Sequence, residues 1–81
     1  MNRINQRTNN LIGRNLVRLR EQNHLRNRDV VMKLQLAGLN VNSAILTKVE
    51  KGINNPSVDM LIELTKIYKC DFNAFFEQNE E

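Results

Sequence analysis

The sequence predicts an all-α fold, a compact single domain of five short helices. Three observations carry this. Apolar residues recur at helical spacing in successive runs and never alternate over a strand's length. Breakers are few: Gly38, Gly52 and Pro56 fall between the runs, and only Gly13 lies inside one. With 81 residues, 41% of them hydrophobic, the chain has room for one small core.

Residues 1–10 (MNRINQRTNN) are polar and carry Arg3 and Arg7. They read as a flexible N-terminal arm that precedes a domain over 11–78. Helix 1 is expected from Leu11 to Asn23, with Ile12, Leu16 and Leu19 inward, Val17 beside them, and Arg14 and Arg18 toward solvent. His24 lacks a second ligand at metal spacing and reads as a turn residue. Helix 2 is expected from Asn27 to Ala37. Its inner face is Val30, Val31, Leu34 and Ala37, Asp29 suits the N-terminal dipole, and Gly38 is the stop. Val41 in the connection is expected in the core.

Helix 3 is expected from Asn42 to Lys51. Asn42 can cap it, Ile45, Leu46 and Val49 form its apolar stripe, and Gly52 can end it. Pro56 forbids helix through Asn55. Ser57 caps helix 4, with Leu61, Leu64, Ile67 and Tyr68 inward. Asp71 is expected to cap a fifth helix in which Phe72, Phe75 and Phe76 share a face.

Charge is distributed unevenly. Residues 1–51 carry ten Lys/Arg against three acids, a balance of +7, and residues 52–81 carry two against six, a balance of −4. That asymmetry fits one face for a polyanion and another turned away, although an ordinary solvated surface accounts for the same arginines. Cys70 is the single cysteine, so no internal disulfide is expected and a reducing cytoplasm suits the chain. No apolar run approaches membrane-spanning length and no signal-peptide pattern is present, so a soluble protein is expected. There is no glycine-rich phosphate loop, no Cys/His ligand pair and no nucleophile beside a base. The expectation is therefore no enzyme, no metal and no cofactor.

The remaining constellation is two short helices joined by a turn in a basic setting. Ser43, Ala44, Thr47 and Lys48 fall on the face of helix 3 opposite its apolar stripe. Short polar side chains can approach base edges in a major groove, and an Ala or Thr methyl can pack on a thymine methyl. Asn27 can meet adenine or phosphate, and Arg28 and Lys51 suit phosphates at the footprint's edges. A solvated helix shows the same kind of face, so both readings stand on these residues alone.

From Ile12 to Phe76 the chain resembles the helix-turn-helix domain of the lambda-repressor/Cro kind, the XRE family. The matching residues are Ile12-Gly13, Leu16, Leu19-Arg20, Leu25, Leu34, Leu46, Glu50, Gly52, Pro56-Ser57, Leu61, Leu64, Phe72 and Phe75-Phe76. The Glu50–Ser57 segment, ExGxxxPS, is the most specific part. The sequence departs from the family pattern at Arg26-Asn27, where Ser-Gln is usual. It also has Val31 for a small Ala, and extra residues over Gln35 to Leu39.

The resemblance implies a lambda-repressor-like fold with helices 2 and 3 as the helix-turn-helix. It places Asn42, Ser43, Ala44, Thr47 and Lys48 at recognition positions, Asn27 where a glutamine commonly meets DNA, and the Lys51–Asn54 loop at phosphate. It also implies that Arg20 and Glu50 pair between helices 1 and 3. The function expected is double-stranded DNA binding on a near-palindromic site, as a homodimeric transcriptional regulator of repressor type. Rival expectations are an antitoxin-like or partner-binding protein, and an accessory domain of a larger regulator.

Overall fold

Each apolar run folds as a helix whose ends are set by local chemistry. The computed structural model describes residues 10–78, so most of the N-terminal arm lies outside the described residues. Helix α1 spans Leu11–Gln22, α2 Asn27–Leu36, α3 Ser43–Glu50 and α4 Val58–Tyr68. The last element, Phe72–Phe76, is a 3-10 turn rather than the expected fifth α-helix. Among the described residues every regular element is helical.

Starts and stops follow the side chains available. The Asn42 carboxamide accepts from the Ile45 N–H at 2.8 Å, and the Ser57 hydroxyl accepts from Met60 N–H at 3.0 Å. Helix α2 follows Arg26, whose side chain makes no capping bond. Asp29 compensates by accepting from the Arg26 N–H at 2.9 Å, and that bond holds its carboxyl below the usual carboxylate range. His24 is a turn residue with φ 56°, and Gly52 leaves α3 with φ 81°. The Gln35 side chain donates to the Val41 carbonyl at 2.8 Å and so braces the α2–α3 connection.

The elements close a ring around one core. Helix α1 packs on α3 and on the C-terminal turn, α2 on α3 and α4, and α4 on the same turn. The radius of gyration is 11.5 Å, near the value of about 12 Å for a compact chain of this length. Leu16, Leu34, Leu46, Leu64, Val30 and Phe75 are fully buried at its centre. Val41 is buried with them, and Met60, outside the expected stripe of α4, is buried too.

Gly13 sets the α1–α3 distance. A Cβ built there would lie 2.5 Å from the Glu50 carbonyl oxygen and 2.8 Å from that of Val49. Only glycine lets the first turn of α1 rest on the last turn of α3 without moving backbone. This is the only inter-helix approach among the glycines that is made directly to another helix's backbone.

Four further expectations are corrected. Ala37 is exposed, because α2 ends one residue earlier and Ala37 is its C-cap. Asp71 makes no capping bond. Of the three phenylalanines only Phe75 is buried, while Phe72 and Phe76 are 44% and 48% exposed. With three residues per turn, Phe72 falls in line with Phe75, and the centroids of the two rings lie 5.9 Å apart. Arg18 is not a free solvent-side cation. It donates to the Asn15 side chain and to the Ala74 carbonyl and pairs with Glu77 at 3.2 Å.

Candidate nucleic-acid interface

Helix α3 is held firmly from behind. Leu46 and Val49 are buried, and Glu50 beside them is buried too. Arg20 of α1 meets Glu50 through Nε–Oε2 at 2.8 Å and Nη2–Oε1 at 3.3 Å. The side chains are 18% and 7% exposed, so the pair sits at the core's edge. The Glu50 carboxylate is the main cause of the raised Arg20 pKa. Arg20 Nη1 also donates to the Leu25 carbonyl at 3.2 Å, so one guanidinium ties together α1, the α1–α2 turn and α3.

The buried half of α3 dictates what faces outward. Ser43, Ala44 and Lys48 are exposed and share the face opposite Leu46 and Val49. Thr47 is half-buried on the side toward α2. Asn42 is exposed, with its side-chain oxygen engaged as the cap. Lys51 and Arg28 are exposed near the ends of this face, and Asn54 is half-buried in the loop beyond it. That loop is folded back on the helix, since the Ile53 and Asn54 N–H groups both donate to the Lys48 carbonyl, at 2.8 and 3.1 Å.

Asn27 sits differently from a residue that reaches outward. Its Nδ2 donates to Thr47 Oγ1 at 3.1 Å and to the Ser43 carbonyl at 3.4 Å. Its Oδ1 is enclosed and has no hydrogen-bond partner among the described residues. The first residue of α2 is thereby clamped to α3, and Thr47 has one lone pair committed. The Thr47 hydroxyl proton and methyl group are what remain for a ligand.

Two contacts that shape this face of the molecule are not among the expectations drawn from the sequence. Gly13 positions the end of α3, and its signal was a glycine on the inward side of an otherwise regular helix. The Asn27–Thr47 bond had no signal, because it joins residues twenty positions apart through a fold not yet built.

No family model, no curated protein and no solved structure matches this chain. No helix among the described residues is long and apolar enough to cross a membrane, and no group of His, Cys, Asp or Glu there could hold a metal ion.

Proposed function

We propose that this protein binds double-stranded DNA sequence-specifically, with α2 and α3 acting as a helix-turn-helix of the lambda-repressor kind and α3 lying in the major groove. The observation that carries this reading is the division of α3. One side is fixed to α1 and α2 by Leu46, Val49 and the Glu50–Arg20 pair, and the other turns Ser43, Ala44 and Lys48 outward, with Thr47 half-buried beside them. Ser43 and Ala44 permit close approach to base edges, and Lys48 reaches either a base or a phosphate. Arg28 and Lys51 supply phosphate contacts at the edges.

Helix α3 has eight residues, a length of about 12 Å, so one copy reads only a few base pairs. That short reach supports the reading of a homodimer on a near-palindromic site. The exposed Phe72 and Phe76 supply its apolar contact. The role is that of a cytoplasmic transcriptional regulator, of repressor type.

Selection of bound sequences from random duplex DNA, followed by titration of the selected and scrambled duplexes at several salt concentrations, tests the reading. The selected duplex should bind at least about a thousandfold more tightly than scrambled DNA. Equal, weak binding of both at low salt would refute it and favour a protein-interaction module.

A further inference from the structure

The outward side of α2 carries an apolar knob. Leu36 is 84% exposed, and Met32, one turn before it, is 58% exposed. Val30, Val31 and Leu34 face the core from the opposite side of the helix. The next two residues, Ala37 and Gly38, form one edge of a groove of about 610 Å³. The loop after Gly52 and the first turns of α4 form its other edges. Its floor is aliphatic, with Val41, Ile45 and Met60. Among the described residues that line it, the ionisable groups are Asp59 and Glu63, both acids. Ile62 beside them is exposed. A bare leucine and an apolar groove thus adjoin on one molecule.

We propose that a second copy of this chain docks here, Leu36 of each copy entering the groove of the other, with Lys33 of each facing Asp59 of the other. Apolar complementarity is the first argument, since the insertion covers Leu36 and the groove floor together.

Charge is the second argument. Lys33 is exposed three residues before Leu36, so the two share one side of α2. Asp59 is exposed in the first turn of α4. The ion pairs among the described residues are Arg18–Glu77, Arg20–Glu50, Arg26–Asp29 and Lys66–Glu63, so neither Lys33 nor Asp59 is taken. Asp29, the acid on the outward side of α2, is held by Arg26. That side therefore offers a cation to a groove rimmed by anions.

Symmetry is the third argument. Knob and groove are contiguous, so a two-fold axis beside Ala37 lets both insertions form at once and closes the contact at two copies. On opposite sides of the molecule the same parts would add copies head to tail. The contact is separate from the one assigned above to Phe72 and Phe76, and it does not rest on the DNA reading.

Nuclear magnetic resonance on the full chain without DNA tests it. Between about 10 μM and 1 mM the amide resonances of Leu36, Val41 and Ile62 should move with concentration. A mixture of isotope-labelled and unlabelled copies should show contacts from the Leu36 methyls of one copy to the Val41 or Ile45 methyls of the other. Leu36→Asn alters a side chain outside the core, so the fold is kept. It should weaken this association at least about tenfold, the worth of one buried leucine, and leave the behaviour of Phe72 and Phe76 as it was. Lys33→Glu should weaken it as well, and Lys33→Glu with Asp59→Lys should restore most of the loss. Spectra that do not change with concentration would overturn the proposal. So would contacts between copies confined to Phe72 and Phe76, or a Leu36→Asn chain that associates as the parent does.

Discussion

Replacing Glu50 by alanine tests the core's edge and the mounting of α3 together. The carboxylate is 7% exposed and receives two bonds from a guanidinium that is itself only 18% exposed. Its loss leaves a largely desolvated cation facing apolar neighbours. Truncating one partner of a buried pair costs about 3–5 kcal/mol. Arg20 keeps its bond to the Leu25 carbonyl and some contact with water, which places the cost at about 3 kcal/mol. For a domain of this size, that lowers the melting temperature by about 12–24 °C. Thermal melts followed by circular dichroism read this directly. The paired replacement Arg20→Met/Glu50→Leu removes both charges and fills the space, and it should melt near the parent, because the pair's net worth is small once neither ion is stranded. A Glu50→Ala melt within about 3 °C of the parent would refute the reasoning, since 3 °C is under 1 kcal/mol.

Gly13→Ala should destabilise by about 1–3 kcal/mol despite alanine's higher helix propensity, because the new methyl meets the Glu50 and Val49 carbonyls at 2.5 and 2.8 Å. Urea denaturation gives the figure, and a stabilised variant would show that α1 and α3 can separate without loss. Tyr68→Phe should hold or gain up to about 2 kcal/mol, since the buried hydroxyl has no partner among the described residues. Burial pushes the Tyr68 phenol well above its ordinary range. The folded chain therefore holds that proton more tightly than the unfolded one. The stability linked to it is complete below about pH 10 and is lost as pH rises above that, a limb Tyr68→Phe should flatten in melts from pH 8 to 11. In duplex titrations Ser43→Glu should abolish preference for one sequence, each base contact being worth about 1–3 kcal/mol. Lys51→Ala should weaken all duplexes alike and reduce the salt slope by about one unit.

Periodicity located the helices because each buries a stripe, and a stripe is written in the order of residues. Ile12, Leu16, Leu19, Leu46, Leu61 and Leu64 lie where that spacing puts them. Caps with their own oxygen, Asn42 and Ser57, were equally legible. The C-terminal turn was not, because three phenylalanines within five residues fit an α-helix or a 3-10 turn, and only packing on α1 decides. Asn15 is the most instructive omission. It lies at i+3 from Ile12 and is 1% exposed, so its place on the inner face was readable. Its polar side chain argued against burial, and its partners, the Phe75 and Glu77 carbonyls, were sixty residues away. The outward residues of α3 were legible as the complement of its stripe. What they share with Asn27 was not, since that bond depends on how α2 crosses behind them.

The Asn15 carboxamide has a further consequence, in time rather than in space. It donates at 2.8 and 2.9 Å to carbonyls of residues 75 and 77. During synthesis at about 5–20 residues per second, Asn15 waits about 3–12 s for those carbonyls to be made. Through that interval α1 lacks the cover that Phe75 provides, and the ring of helices stays open on one side. The ring closes only when the last turn arrives, so a chain halted before residue 75 would leave uncovered the part of α1 on which that turn packs.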